Sequence, residues 1–141
     1  MYKVLIPVDG STRCERAARH IVGFTKVAGE MEVHLLYVHP EVKDWEVKRF
    51  LREQEIEAVV SAQAEEALQA SCNVLKAAGI PYVVHTVVGE VAQTIAAMAE
   101  SQACDQIIMG TRGMTALGDL LLGSVATKVL HLVHVPVTLV K

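Results

Sequence analysis

Short apolar runs alternate with longer stretches of helical periodicity along the whole chain. Lys3 to Val8 is a continuous, largely β-branched and aliphatic run that stops at Asp9-Gly10, the pattern of a buried parallel strand ending in a turn. Thr12 followed three residues later by Glu15 spells a capping box, and Ala17, Ala18, Ile21, Val22, Phe24 and Thr25 then recur at helical spacing until Gly29. Val33 to Val38 is a second β-rich run, closed by His39-Pro40 because proline cannot continue a central ladder. Residues 40–45 are polar and irregular. Glu46 to Ala78 then holds no Pro or Gly and is rich in Ala, Glu, Gln and Leu, which predicts one long helix or two with a break. Gly79 stands where a helix end needs a positive φ, and Pro81 where the helix can no longer run. Tyr82 to Val88 reads as a third strand. Val91 to Glu100 carries an apolar stripe of Val91, Ile95, Met98 and Ala99 and reads as a helix. Gln106 to Met109, Val125 to Val133 and Pro136 to Val140 complete the pattern as strand, helix and strand.

This strict β-α alternation predicts an α/β fold, a parallel sheet with helices on both faces and right-handed crossovers. In such sheets ligands bind beyond the carboxyl ends of the strands, where the strand order reverses. Asp9-Gly10, Val38-His39, Val88-Gly89 and Met109-Gly110 all fall at such ends.

Composition narrows the picture. The 141 residues fit one domain, 1–141, that buries roughly two thirds of its unfolded surface. No apolar run approaches a membrane span, and the apolar core at the N-terminus is too short for a signal peptide, so a cytoplasmic location is expected. Cys14, Cys72 and Cys104 lie far apart with no Cys-x-x-Cys pair and read as reduced packing residues. A formal net charge of −3, with two Phe, three Tyr and one Trp, offers neither the basic footprint nor the stacking platforms of a nucleic-acid binder.

The candidate chemistry centres on residues 110–124. Gly110 and Gly113 follow an apolar strand and let the backbone bring bare N–H groups against an oxyanion, and Gly123-Ser124 opens the next helix, with Ser124 as its expected N-cap. Glycines alone would signify only turns, but their place between strand and helix favours phosphate binding. The loop is neither a Walker A motif nor a dinucleotide G-x-G-x-x-G fingerprint.

Gly110-x2-Gly113-x9-Gly123-Ser124 resembles the Gly-x2-Gly-x9-Gly-(Ser/Thr) signature of the ATP-binding branch of the universal stress protein family. Pro7-Val8-Asp9-Gly10-Ser11, Leu36-Tyr37-Val38-His39, Met109-Gly110-Thr111-Arg112-Gly113 and Val135-Pro136-Val137-Thr138-Leu139-Val140 are similar to that family too, so the likeness spans the chain. The resemblance implies a Rossmann-like (adenine nucleotide alpha hydrolase-like) domain with a five-stranded parallel sheet of order 3-2-1-4-5. It implies bound ATP, or ADP or AMP, with Mg²⁺ or Mn²⁺ carried by the phosphates, and a homodimer through the C-terminal strand, Pro136 to Val140. Position by position, Pro7, Val8 and Asp9 would form the adenine and ribose end, with Asp9 accepting hydrogen bonds, and Val38 would line the adenine. Met109 and Gly110 would lie beside the ribose and Gly113 beside the phosphates, which Gly123, Ser124 and Val125 would hold. Arg112 is a further phosphate contact on charge alone. Ala126 replaces a Ser or Thr found in many relatives and removes one hydroxyl donor.

Other readings compete. Asp9 beside Gly10 also suits a structural Asx turn, or a phospho-acceptor aspartate, which would need acidic neighbours for Mg²⁺ where Gly10 and Ser11 stand. His131 and His134 could share a helical face, but with no companion ligands the six histidines read as solvated or core-satisfied; His39, following Val38 at a strand's carboxyl end, could sit at a pocket rim but is not counted among the site residues. Glu65-Glu66 and the charges of 46–57, including Arg49 with Glu53 and Glu57, read as a solvated helix face; Trp45 reads as packing. Leu117, Leu120, Leu121 and Leu122 make the glycine loop sticky, against nucleotide, core or a second subunit. No nucleophile and base pair stands out. The expected function is therefore a nucleotide-dependent stress-response regulator that acts through dimerisation and an unknown protein partner. The alternatives are an interaction module of the same fold that binds no nucleotide, or a weak ATPase.

Overall fold

In the computed structural model of the chain, residues 1–41, 52–111 and 122–141 are described. Their elements run β1 (Tyr2–Val8), α1 (Thr12–Ala28), β2 (Met31–His39), α2 (Glu53–Ala77), β3 (Tyr82–Val88), α3 (Val91–Ser101), β4 (Gln106–Gly110), α4 (Ser124–Leu132) and β5 (Val137–Val140). The five strands form one parallel sheet in the order β3-β2-β1-β4-β5, as expected.

Side-chain alternation along each strand feeds two apolar layers. Val4 and Ile6 of β1 and Val33 and Leu35 of β2 meet Ala17 and Ile21 of α1 and Leu68 and Leu75 of α2 on one face. Leu5, Leu36 and Ile107 meet Ile95 and Ala99 of α3 and Val129 of α4 on the other. Each fully buried Leu or Ile contributes about 1.5–3 kcal/mol. No helix among the described residues is long and apolar enough to cross a membrane.

Helix ends test the sequence reading closely. Gly79 adopts φ 68° directly after the α2 cap, and the Ile80 N–H reaches the Leu75 carbonyl at 3.0 Å, closing the helix as its spacing predicts. The start of α1 differs. Its N-cap is Ser11, one residue before Thr12, and no side chain caps it. Glu15 is not drawn back into a capping box because its carboxylate accepts from Arg19 Nε at 3.1 Å, one turn ahead. Helix α4 also starts earlier than expected, with Gly123 as N-cap and Ser124 as its first helical residue. It ends at Leu132, so His131 and His134 do not share a helical face. The first part of the long helical stretch, with Trp45 and Arg49, lies outside the described residues, whereas Glu65 and Glu66 are exposed.

One residue of α2 is poorly matched to its surroundings. Ser71 is 1% exposed and its hydroxyl has no hydrogen-bond partner among the described residues. Removing a buried, unsatisfied hydroxyl relieves its desolvation penalty, so Ser71→Ala is expected to raise stability by about 1 kcal/mol. Urea unfolding would show this as a higher midpoint at unchanged slope; a lower midpoint would mean that the hydroxyl has a partner worth keeping.

Candidate functional site

The sheet opens at its carboxyl edge between β1 and β4. β1 pairs with β2 along its full length, from Tyr2↔Met31 to Val8↔Tyr37. Its pairing with β4 is confined to Val4↔Gln106 and Leu5↔Ile107. Pro7, which brings no N–H to a ladder, follows two residues later. α1, which follows β1, packs on one face of the sheet and α4, which follows β4, on the other, and a cavity of about 440 Å³ lies in the gap.

β1 contributes Pro7 and Val8 to its wall, the turn after β1 contributes Asp9, and β2 contributes Val38. β4 brings Met109 and Gly110, and the start of α4 brings Gly123, Ser124 and Val125. Nine of the eleven residues singled out in the sequence therefore meet around one space; Arg112 and Gly113 lie outside the described residues. Leu117, Leu120 and Leu121 also lie outside them, and Leu122 is exposed. Sequence reasoning did not single out Ser11, Arg13, Cys14, Tyr37 and Thr111, which also line the cavity. The first three could have been found from the turn itself, since a helix starting two to three residues after Asp9 folds its first turn back over that aspartate. His39 is not in the lining, but its Nδ1 lies 3.1 Å from the hydroxyl of Tyr37, which is.

Gly110 is required by proximity rather than by an unusual φ. A Cβ built there would fall 2.6 Å from Cβ of Arg13, so the first turn of α1 rests directly on the end of β4. That contact brings the β1–α1 turn over the cavity.

Asp9 is tied down on one oxygen. Its Oδ1 accepts from the Ser11 N–H at 2.8 Å, the geometry of an Asx turn, and from the Cys14 thiol at 3.0 Å. The Asp9 N–H donates in turn to Cys14 Sγ at 3.3 Å. Partial burial pushes the Asp9 carboxyl up, but the bonds from Cys14 and Ser11 and the charge of Arg13 outweigh it, and the group is held below the usual carboxylate range. Burial, and then the bond to Asp9, push the Cys14 thiol up, so it stays protonated and able to donate.

The arrangement sets an apolar slot formed by Leu36, Val38, Met109 and Val125 beside an ionised acceptor, Asp9. Where α4 begins in the same wall, its first-turn amides have no intrahelical partner and the helix dipole favours negative charge. A flat heterocycle with N–H or O–H donors and an anionic tail fits this order of groups. No group of three or more His, Cys, Asp or Glu that could hold a metal ion occurs among the described residues.

Comparison with known proteins agrees with this architecture. The chain is 32% identical to the universal stress protein MJ0531 of Methanocaldococcus jannaschii, over 99% of its own length and 81% of that protein. The solved structure of MJ0577, from the same organism, superposes with a TM-score of 0.80 at 34% identity, covering 99% of this chain and 94% of the other. An Arabidopsis thaliana family member solved with AMP bound shares the fold at a TM-score of 0.71 and 16% identity, covering 100% and 92%. The family model for universal stress proteins matches residues 1–141, and the chain belongs to that family.

Proposed function

We propose that the protein binds an adenine nucleotide, ATP or its products ADP and AMP, in the cavity between β1 and β4, and that occupancy regulates a stress response. The single observation that carries this reading is the convergence of Asp9, the apolar slot and the N-terminus of α4 on one space of about 440 Å³. The slot takes the base, Asp9 accepts from the nucleoside, and the α4 amides with Ser124 and the Arg112–Gly113 loop take the phosphates. Mg²⁺ or Mn²⁺ enters with the phosphates. Ala126, 2% exposed at the cavity wall, supplies no hydroxyl to them. That a relative of the same fold binds AMP supports the choice of base.

In this reading the protein works in the cytoplasm as a homodimer joined through Pro136 to Val140, where β5 closes one edge of the sheet with half-buried side chains. A regulatory protein partner reads the nucleotide state. Titration calorimetry of the purified protein with ATP, ADP and AMP tests the reading: saturable heat with at least one is expected, and Asp9→Ala should weaken it about tenfold or more, the value of a hydrogen bond to a charged group. Absence of heat with all three would sink it in favour of an interaction module. Phosphate release above background that vanishes in Asp9→Ala would instead make the protein a weak ATPase.

A further inference from the structure

We propose that Cys14 is a positioning residue for nucleotide recognition: its thiol holds Oδ1 of Asp9 so that Oδ2 is presented to the nucleoside in the cavity. The inference rests on the nucleotide reading for its ligand, but its structural half stands on the β1–α1 turn alone.

A carboxylate at the end of a strand, on a residue as exposed as Asp9, ordinarily rotates between several orientations. Here two donors fall on the same oxygen, the Ser11 N–H at 2.8 Å and the Cys14 thiol at 3.0 Å, which turns the carboxylate so that Oδ2 is the oxygen left for a ligand. Ser11 acts through its backbone N–H in the turn and adds a contribution from its side chain that is smaller than that of Cys14. The Cys14 bond is the stronger side-chain contact, and it comes from a residue only 6% exposed on the first turn of α1. Cys14 is fixed there by packing against the α1–α2 layer, and it also receives the Asp9 N–H at 3.3 Å, so thiol and aspartate are locked in a reciprocal pair. The same residue lines the cavity. A thiol kept protonated by burial retains the hydrogen this bond needs, and the anion of Asp9 keeps a full acceptor for an N–H or O–H of the base or sugar.

Cysteine is otherwise unneeded at this position. Alanine removes the donor together with the volume of Sγ, whereas serine keeps a donor at nearly the same place on a shorter bond. The difference between Cys14→Ala and Cys14→Ser therefore separates donation from packing. Two quantities are read in each variant: the titration of the Asp9 side-chain carboxyl by ¹³C NMR without ligand, and AMP affinity by calorimetry. Cys14→Ala is expected to shift the Asp9 titration upward and to weaken AMP binding about fivefold, while Cys14→Ser stays nearer wild type in both. Circular dichroism checks that each variant is folded, and Cys14→Val, which fills the site without a donor, takes the place of Cys14→Ala if that variant is not.

An unmoved Asp9 titration in Cys14→Ala overturns the proposal whatever the affinity does, because the thiol would then be packing only. A moved titration with unchanged AMP affinity also overturns it, since Asp9 would not be presented to the ligand. If the wild-type protein binds no adenine nucleotide, the nucleotide reading falls and the ligand half of the proposal falls with it, while the titration still decides the Cys14–Asp9 pair.

Discussion

Gly110→Val is expected to destabilise the protein by about 1–3 kcal/mol and to weaken nucleotide binding about tenfold or more. Any Cβ at position 110 falls 2.6 Å from Arg13 Cβ and 3.4 Å from the Arg13 carbonyl carbon. Neither atom is the free end of a flexible side chain, so relief requires the first turn of α1 to back away from β4. That turn carries Ser11 and Cys14, the two donors on Asp9, and their displacement reaches the cavity from both sides at once. Gly110→Ala should show the same signs at the lower end of the range, because the clash begins with the Cβ. Urea unfolding followed by circular dichroism measures the first effect and calorimetry with AMP the second. Wild-type behaviour in both variants would mean that α1 and β4 are not in the contact described here.

Much of the fold was legible because local pattern and tertiary demand agree. The strand runs are mainly apolar, as a largely covered sheet requires, although the edge strand β3 carries His85 and Thr86 and leaves Val83, Val84 and Val88 exposed, and Gly79 stops α2 by the positive φ its position called for. Strand order was another matter. Periodicity says nothing about which strand lies beside which, and 3-2-1-4-5 came from the family likeness before the pairing showed it. The site was legible through its residue types at strand ends, with nine candidates gathered around the cavity. What escaped was competition between donors and acceptors. Thr12 and Glu15 fit a capping box, yet Glu15 has Arg19 a turn away and Ser11 is engaged with Asp9 through its amide. Cys14 read as packing, which it is, but its neighbour across the turn gives the thiol a second role. Contacts between strands far apart in sequence were beyond reach altogether, and His34 with His85, 51 positions apart, is the clearest case.

That pair leads to the second large effect: the protein is expected to lose stability as pH falls below about 6.5. His34 of β2 is 3% exposed. Its Nε2 lies 2.9 Å from Glu32 Oε1, and its Nδ1 lies 2.9 Å from His85 Nε2 on β3, with the two rings stacked at 5.2 Å between centroids. A carboxylate can only accept, so His34 donates from Nε2, leaving Nδ1 bare to accept from the Nε2–H of His85. Charging both rings would point two N–H groups at each other across the strand pair. Burial, and then the charge of His34, hold the His85 imidazole below its ordinary value of 6.5. The sign follows. Above that value both folded and unfolded chains carry neutral His85 and the stabilisation is complete; as pH falls through 6.5 the unfolded chain takes up the proton first, and folding loses ground until the folded protein protonates too. One withheld proton limits the slope to about 1.4 kcal/mol per pH unit, and the partial exposure of His85 makes the actual slope smaller. Urea midpoints measured at pH 7.5, 6.5 and 5.5 should therefore decline in the wild type and decline less in His85→Gln, whose amide can donate to His34 Nδ1 at every pH. Equal declines in the two proteins would place the acid sensitivity elsewhere and remove the His34–His85 bond from the forces that join β2 to β3.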